Sequence, residues 1–284
     1  MSDIKMCFTS RFRNGLILEA DFSQLEVVGL AVLSGDPVLK DDILSGRDMH
    51  RQRAADLFSK PVSEVTDDER QLAKRLSFQL QYGAGAASMA EKNGISKELA
   101  ERFILQYYDR YKGVKEWQEH VRQSVEDSRV STGERTPAGY PKGKGTYISP
   151  TGRMYTFFEY DAPAWARNKE PRFSPTEMKN YPCQGFATAD LMALYRGRLY
   201  RRLIREDMME WALPINTVHD SVMFDVDVEG SDRIRPVHDL VMVLEEEADN
   251  LPVALYDLWG INCDLPFKIE CKVGPSWGSM KKLS

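Results

Sequence analysis

The sequence predicts an α+β protein, because strand patterns and helical patterns occupy different stretches of its 284 residues. Strand patterns lie towards both ends: an apolar run at residues 16–18, two β-rich runs at 215–218 and 222–226, and an alternating stretch at 267–273. Helical periodicity dominates the middle, most clearly at residues 66–83 and 96–127. We therefore expect strands near both ends of the chain and mainly helices between them.

Composition excludes several classes of protein. Hydrophobic residues make up 42% and charged residues 29% of the chain, as in ordinary globular proteins. No apolar run approaches the ~20 residues that span a bilayer, and residues 1–15 lack the apolar core of a signal peptide, so we expect a cytoplasmic protein without a membrane partner. The four cysteines lack CxxC spacing, which argues against a zinc knuckle and a disulfide framework.

The net charge of −5 is a weak argument against nucleic-acid binding, because the clustering of positive charge matters more than its sum. Arg and Lys concentrate at residues 70–75, 142–144 and 196–205. The last stretch lies in a helix predicted from Thr188 to Met209. Its arginines form either a solvated face or a face that meets phosphates.

The first carboxylate of interest is Asp21. It comes directly after the buried strand that Leu16 to Leu18 predict, and a carboxylate in that position is costly unless it is paired or bound to a metal. A helical pattern follows from Gln24, with Glu26 five residues after Asp21. An ordinary helix N-cap explains a lone aspartate equally well.

The helix predicted over residues 66–83 has clear start and stop signals. Thr66 and Glu69 match a capping box, and Gly83 is a suitable end. Within the helix, side chains at every fourth position drift by only about 40° per step and line one face over about 18 Å. These side chains are Arg70, Lys74, Phe78 and Tyr82.

This face is cationic at one end and aromatic at the other. A nucleoside triphosphate has the same polarity, because cations suit its phosphate oxygens and flat aromatic rings suit its base. An amphipathic helix with two solvated cations and two core aromatics explains the same spacing. The helix by itself does not decide between the two interpretations.

Further elements flank this helix. Residues 46–58 predict a short helix that opens near Asp48 and carries His50 in its first turn. Residues 131–175 predict a loop with one or two short strands, around 146–147 and 153–158, for which an exposed hairpin is the simplest explanation. Helical character returns from residue 177, where Asn180 and Gln184 are polar among apolar neighbours.

The second carboxylate of interest is Asp220, in a predicted hairpin. Two β-rich runs, 215–218 and 222–226, flank a tight turn formed by His219, Asp220 and Ser221. Neither His nor Asp is a favoured residue for such a turn, and a contradiction of this kind indicates a functional or strained site. A helix over 236–258 and a last strand over 267–273 complete the chain.

Taken together, these stretches resemble the C-terminal polymerase half of family A DNA polymerases, the group of bacterial DNA polymerase I and many phage replicases. Three signatures stand in the family's order: DFSQLE as motif A, Arg70-x3-Lys74-x3-Phe78-x3-Tyr82-Gly83 as motif B and Val218-His219-Asp220 as motif C. The segments GRDMHRQRAADLF, NYPCQGFATAD and VGPSWG also resemble the family, so the similarity runs from about Ile4 to the C-terminus.

The resemblance implies the chemistry of the site. Asp21 and Asp220 are implied to hold two Mg²⁺ ions where the strand end and the hairpin turn meet at one edge of an antiparallel sheet. Arg70, Lys74 and His50 are implied to hold the triphosphate of the dNTP, with Lys74 also protonating the leaving pyrophosphate.

The resemblance also implies contacts to base, sugar and DNA. Phe78 stacks on the incoming base or sugar and Tyr82 lies at the template base. Glu26 excludes a ribose 2′-hydroxyl, which favours DNA over RNA synthesis. The side chains implied to touch primer–template DNA near its terminus, without reading sequence, are Asn180, Gln184 and His219.

The implied fold is a right-hand polymerase palm, an antiparallel sheet with helices, from residues 1–29 and 166–284. A mainly helical fingers subdomain is inserted at 30–165. Ser221 stands where bacterial members usually carry glutamate, so we expect a third acidic group to be missing and activity to be retained. Residues 131–150 resemble an insertion.

The chain starts just before motif A, without the thumb, the first part of the palm or an exonuclease. We therefore expect a second polypeptide that carries the thumb and remaining palm, with or without the exonuclease, as in a phage polymerase split between two genes. Such a protein acts in the host cytoplasm. Trimming in the laboratory is the competing explanation, although Met1-Ser2 resembles a natural start.

The sequence leaves two alternatives to a catalytic DNA polymerase subunit. A non-catalytic DNA- or nucleotide-binding subunit would keep the fold but not the chemistry, and the intact Asp21, Asp220, Arg70 and Lys74 argue against it. A single-subunit RNA polymerase shares much of the architecture, and Glu26 argues against it.

Overall fold

The structure is a computed structural model that describes residues 3–163, 166–230 and 235–283, so the predicted start at Met1-Ser2 lies outside the described residues. It confirms the α+β class. The described helices are α1 (Asp3–Met6), α2 (Leu25–Ser34), α3 (Pro37–Leu44), α4 (Met49–Phe58), α5 (Asp67–Gln81), α6 (Ala86–Asn93), α7 (Lys97–Arg110), α8 (Lys112–Asp127), α9 (Pro175–Gln184), α10 (Met192–Arg205), α11 (Pro236–Asp249) and α12 (Leu251–Trp259). The described strands are β1 (Leu16–Phe22), β2 (Val130–Arg135), β3 (Pro141–Ile148), β4 (Met154–Phe158), β5 (Ala212–Val218), β6 (Ser221–Val226), β7 (Ile269–Gly274) and β8 (Lys281–Lys282).

The chain forms two compact units. Residues 1–28 and 187–284 form one, which we call the terminal unit, and residues 29–186 form the other, which we call the inserted unit. The predicted palm and fingers boundaries at residues 29 and 165 describe functional subdomains and stay a prediction. By packing alone, residues 166–186 belong with the inserted unit.

The terminal unit is built on an antiparallel sheet with the strand order β5-β6-β1-β7-β8. Strand β1 is central because its apolar side chains are buried between two neighbours, β6 and β7. Helices α10 and α11 complete the core, where Tyr195 packs edge-on against Phe22 with ring centroids 4.8 Å apart. The sheet therefore brings the end of β1 and the β5–β6 turn to the same edge.

The inserted unit is held together by a buried polar network as well as by apolar packing. Arg53 of α4 donates to Ser77 Oγ of α5 at 2.8 Å and to the Tyr111 hydroxyl at 3.1 Å. Asp42 of α3 accepts hydrogen bonds from that hydroxyl at 2.7 Å and from Arg110. Buried charges of this kind need paired partners, so this network orients α3, α4, α5 and α7 with respect to one another.

The prediction of one long helix over residues 96–127 is wrong, because the helix breaks at Tyr111. This residue has φ −108° and ψ 71° and lies between α7 and α8. Asp36, from a distant part of the sequence, accepts hydrogen bonds from the backbone amides of Gly113 at 2.7 Å and Val114 at 3.3 Å. A cap supplied by tertiary structure therefore starts a second helix where local periodicity predicts continuation.

Other predicted elements also differ in detail. The helix predicted over 236–258 divides into α11 and α12 at Asn250, with Pro252 in the first turn of α12. The stretch with predicted helical character from residue 177, including the helix predicted from Thr188 to Met209, contains a π-helical segment at Gly185–Leu191 between α9 and α10. The predicted strands around 146–147 and 153–158 are confirmed as β3 and β4, and β2, which the prediction missed, pairs with β3 in a three-stranded sheet.

Two arginines of the arginine-rich helix α10 form ion pairs within the terminal unit. Arg198 pairs with Glu247 of α11 at 3.0 Å, and Arg202 pairs with Glu246 at 2.5 Å. These two arginines therefore serve the packing of α10 on α11. Of the helices in the described parts of the chain, none has the length and hydropathy needed to cross a bilayer.

Candidate active site

The terminal unit places Asp21 next to Asp220. Asp21 lies on β1 directly opposite Ser221 of β6, so Asp220 is the adjoining residue of the turn. The backbone amide of Phe22 donates to the carbonyl oxygen of Asp220 at 3.2 Å, which extends the ladder to this end of the sheet. The expected meeting of the strand end and the hairpin turn is therefore confirmed.

The carboxylate of Asp21 lies in an unfavourable electrostatic environment. Burial raises its pKa above the usual value, and the negative charge of Asp220 raises it further. Glu19 and Glu270 act in the same direction, while Lys272 opposes them. A divalent cation between Asp21 and Asp220 would relieve this repulsion, so the donor set fits the few-carboxylate coordination that Mg²⁺ prefers.

Glu270 is a neighbour of Asp21 that the sequence did not reveal. It lies on β7 directly opposite Asp21, and its side chain pairs with Lys282 at 3.0 Å. Ser221 supplies no carboxylate beside Asp21, whereas Glu270 of β7 adds negative charge there. The sequence predicts the strand at 267–273 that carries Glu270. It does not show that this strand pairs with β1, because no local pattern specifies the pairing.

The turn that carries Asp220 is strained, as its composition predicts. The turn consists of His219 and Asp220, while Ser221 begins β6 and donates from Oγ to the carbonyl of Val218 at 3.0 Å. His219 is exposed and has φ 53°, a left-handed conformation that costs a non-glycine residue about 1 kcal/mol. Glycine normally occupies such a position, so the hairpin keeps His219 at a conformational cost.

Glu26 lies in the first turn of α2, in the same unit as Asp21. The chain turns from β1 into α2 at Gln24, which has φ 55° and whose carbonyl accepts the amides of Val27 and Val28. Because the connection is this short, Glu26 lies near the end of β1. Glu26 is half-buried in this position, and its contact with the sugar stays a prediction.

The central helix α5 forms with the predicted ends. Thr66 Oγ1 accepts the amide of Glu69 at 3.3 Å, and the Glu69 carboxylate accepts the amide of Thr66 at 2.8 Å, which confirms the capping box. Gly83 follows the last turn with φ 78°, and a Cβ there would lie 2.6 Å from the Cα of Thr176. Position 83 therefore requires glycine for both backbone conformation and space.

The residues of the cationic and aromatic face of α5 are not those that bury the helix in the core. The helix is buried through Ala73, Leu76 and Leu80, whereas Arg70, Lys74 and Phe78 are half-buried and Tyr82 is exposed. Lys74 Nζ lies 5.8 Å from the centroid of the Phe78 ring. The aromatic residues of this face are thus not the core of the helix, which favours the nucleotide-binding interpretation.

His50 of α4 joins the face of α5. Its ring centroid lies 6.0 Å from that of Phe78. Burial, reinforced by the charge of Arg53, lowers the pKa of His50 to about 4, so the imidazole is neutral at neutral pH. Within the part of the chain that the structure describes, its buried Nδ1 has no hydrogen-bond partner. A neutral ring can still donate one N–H to a phosphate oxygen.

We expect acidification to destabilise the protein through His50. The folded-state pKa of about 4 lies below the ordinary value of 6.5, so between these values the unfolded chain binds more protons and stability falls as the pH falls. After allowance for solvent screening, the loss between pH 7 and pH 5 is on the order of 1 kcal/mol. Urea unfolding at both pH values should show a smaller loss for His50→Asn. The exposed His238→Asn is the matched control, and equal losses in all three proteins would contradict the assignment.

Asp48 connects α4, which carries His50, with α5, which carries Arg70. It caps α4, since its Oδ1 accepts the backbone amides of His50 at 3.1 Å and Arg51 at 3.0 Å. Its Oδ2 accepts Nε–H of Arg70 at 2.5 Å. Although burial acts to raise the pKa of Asp48, the hydrogen bonds from Arg70 and Arg51 outweigh it and hold that pKa below its usual value. The sequence indicates the cap but not the bond to Arg70.

The predicted DNA-contacting residues fall in different parts of the chain. Asn180 and Gln184 are half-buried neighbours on α9 of the inserted unit, with Asn180 Nδ2 donating to Gln184 Oε1 at 3.4 Å. His219 belongs to the terminal unit. The structure therefore pairs the two amides with each other, and the DNA role of all three residues stays a prediction.

Comparison with known proteins decides the family. The family model described as DNA polymerase family A matches residues 1–279. The chain belongs to DNA polymerase family A. Curated relatives of this family A chain include DNA polymerase I of Lactococcus lactis subsp. lactis, 28% identical over 95% of the chain, and of Bacillus subtilis, 28% identical over 98%.

A solved structure resembles this family A chain along nearly its whole length. The POL domain of Pol1 from M. smegmatis, in complex with DNA primer–template and dNTP, matches 98% of the chain with a TM-score of 0.68 and 25% identity. The chain covers 42% of that protein and 27% of the length of the two curated relatives. The α+β fold is therefore that of a family A polymerase domain.

Proposed function

We propose that the chain catalyses template-directed DNA synthesis, as the palm-and-fingers part of a family A DNA polymerase in DNA replication. The reaction is nucleotidyl transfer from a dNTP to the 3′-hydroxyl of a primer. The observation that carries the proposal is the register of β1 and β6, which brings Asp21 beside the Asp220 turn. The two-unit chain acts in the cytoplasm, or in the host cytoplasm if a phage encodes it.

Two Mg²⁺ ions would be held by Asp21 and Asp220, together with phosphate oxygens and water. When bound, such ions lower the pKa of the primer 3′-hydroxyl and neutralise charge on the leaving pyrophosphate. The carboxylates themselves contribute negative charge that is already concentrated at the sheet edge, as the raised pKa of Asp21, caused by burial and by Asp220, indicates. No protein nucleophile is needed.

The face of α5 would hold the dNTP. The Arg70 guanidinium and the Lys74 ammonium bind phosphate oxygens, and the neutral His50 donates a hydrogen bond to the same group. Phe78 stacks on the base or sugar while Tyr82 meets the template base. Lys74 would give its proton to the pyrophosphate oxygen as the P–O bond breaks.

A Phe78→Ala change should raise the KM for dNTP about tenfold and alter DNA affinity little, because stacking on one base is worth about 1–3 kcal/mol. Steady-state single-nucleotide extension gives KM, and fluorescence anisotropy of a labelled primer–template gives DNA affinity. Tyr140→Ala, at an exposed aromatic residue of the inserted unit, is the matched control. Equal losses of both affinities would mean that Phe78 merely packs.

Glu26 would set the preference for deoxyribose. Replacing it with alanine opens space for a 2′-hydroxyl, so the preference for dNTP over rNTP should fall by about a hundredfold. Competing incorporation of dATP and ATP measures it. Exposed Glu116→Ala should retain the wild-type preference. A wild-type chain that incorporates ribonucleotides more efficiently would instead favour an RNA polymerase.

We further propose that a second polypeptide supplies thumb and further palm segments, and the exonuclease where one is present. Exposed apolar side chains support this: Ile4, Met6 and Phe8 are 70%, 50% and 54% exposed, and Ile215 on the edge strand β5 is 49% exposed. Exposed apolar side chains and an unpaired strand edge favour association with another chain. A stable, active monomer in size-exclusion chromatography would contradict the proposal.

Primer extension with purified partner tests the catalytic proposal as a whole. Extension that depends on template, dNTP and Mg²⁺ supports it. A non-catalytic binding subunit would bind DNA or nucleotide and extend nothing under any reconstitution. A pull-down from native extract, with co-purifying chains identified by mass, supplies the partner for the assay.

A further inference from the structure

We propose that Asp48 is a positioning residue for the triphosphate, which it serves by orienting Arg70 and His50 through a single carboxylate. The inference deepens the proposed function and rests on the assignment of Arg70 to the dNTP phosphates. Every contact that carries it lies within the inserted unit.

Each oxygen of the Asp48 carboxylate accepts hydrogen bonds from a different helix. Oδ1 is occupied by the first turn of α4, through the amides of His50 and Arg51. Oδ2 is occupied by the guanidinium of Arg70 on α5. One side chain therefore sets the start of the helix that carries His50 and the direction of the cation on the neighbouring helix.

The hydrogen bond between Asp48 and Arg70 leaves most of the guanidinium available. The bond uses Nε–H, so the remaining N–H donors of the guanidinium are not part of it and stay suited to phosphate oxygens. A guanidinium held at Nε loses rotational freedom before the ligand arrives. Binding then costs less conformational entropy, which is the general advantage of preorganisation.

Folding stability alone does not explain the ion pair between Asp48 and Arg70. The side chains of Arg70 and Asp48 are 29% and 36% exposed, and exposed ion pairs contribute little to folding. A serine at position 48 would cap α4 about as well as aspartate. What serine lacks is the reach and charge to hold Arg70.

A competing arrangement makes the opposite prediction. In this arrangement the ion pair between Asp48 and Arg70 would have to break before Arg70 could bind phosphate. Removal of the Asp48 charge would then tighten dNTP binding. If Asp48 orients Arg70, removal of its charge weakens dNTP binding. The direction of the change in KM therefore separates the two.

The test compares Asp48→Ser and Asp48→Asn with wild type in single-nucleotide primer extension, using the full chain and its partner polypeptide. We expect the KM for dNTP to rise about fivefold to twentyfold with kcat changed by less than about threefold. Equilibrium dialysis of radiolabelled dATP with Mg²⁺ against the full chain provides a second readout that does not need turnover. A KM and dialysis affinity that are unchanged, or a lower KM, would overturn the inference.

Two control variants separate positioning from folding. Ser96→Ala removes the cap of α7, where Ser96 Oγ accepts the amide of Leu99 at 3.1 Å, and Asp41→Asn removes an exposed ion pair with Arg47. Both should leave the KM for dNTP at the wild-type value. A rise in KM for these variants as large as that for Asp48→Ser would reduce Asp48 to a structural role and overturn the inference.

A double-mutant cycle distinguishes failure of the inference from failure of the proposed function. In an Arg70→Ala background, Asp48→Asn should raise the KM no further, because the group it positions is gone. If Arg70→Ala alone leaves the KM unchanged, the triphosphate assignment fails. If Arg70→Ala raises the KM and the Asp48 variants do not, the positioning inference alone fails.

Discussion

Asp220→Ala should lower the rate of nucleotide incorporation by at least about a thousandfold while leaving DNA affinity within about threefold of wild type. In the proposed mechanism Asp21 and Asp220 together hold two divalent ions beside the end of β1, and Asp21 alone would not supply enough negative charge for both. Because Asp220 is half-exposed in a turn, its truncation removes no core packing. Rapid-quench primer extension and anisotropy of labelled primer–template measure the two quantities.

Two further variants test whether the loss of activity comes from the charge of Asp220. Asp220→Asn keeps the shape of the side chain and should be as inactive as Asp220→Ala. Glu229→Gln, in an exposed turn of the same unit where Glu229 accepts a hydrogen bond from Asn14, should retain wild-type activity. Normal extension by Asp220→Ala would exclude the metal-binding assignment.

Asp220→Asn should also change the pKa of Asp21, which can be measured without turnover. The charge of Asp220 is, after burial, the largest cause of the raised pKa of Asp21, so Asp220→Asn should move that pKa downwards. Carboxyl-carbon NMR of Asp21 in a metal-free sample follows its titration. An unchanged pKa would mean that the two side chains do not interact in solution.

Lys74→Ala should lower kcat by about a hundredfold to a thousandfold, with a smaller rise in the KM for dNTP. Loss of a phosphate contact weakens binding, whereas loss of a proton donor slows departure of pyrophosphate. Lys74→Arg separates these effects, because arginine keeps the charge but does not release a proton in proteins. We expect Lys74→Arg to restore KM more fully than kcat, as measured by single-turnover extension.

The adjacent residue provides a matched control for Lys74. Arg75 carries the same charge on the same helix, but it is exposed and its Nε donates to Asn93 Oδ1 at 3.2 Å. Arg75→Ala should therefore retain kcat and KM. Full kcat in Lys74→Arg would show that position 74 contributes charge and not a proton.

Local interactions explain why parts of this structure are predictable from sequence. The capping box of Thr66 and Glu69 spans three residues, and the four-residue spacing of the α5 face follows from helix geometry. The β5–β6 hairpin and its unfavourable turn residue are likewise encoded within a few positions. Motifs of this kind also carry the family resemblance.

Long-range contacts explain what the sequence missed. Asp36 caps α8 across more than seventy positions and breaks the predicted long helix, and Glu270 meets Asp21 across a strand pairing. The bond from Arg70 to Asp48 joins two helices whose register no local pattern specifies.

Local sequence patterns were sufficient to predict the α+β class, the helix and strand candidates, and the residues that place the chain in its family. The folded chain shows which of those residues share an environment: Asp21 with Asp220 and Glu270, and Arg70 with Asp48. Helix and turn propensities act over a few residues, whereas strand order and helix packing depend on burial of the whole unit's apolar surface.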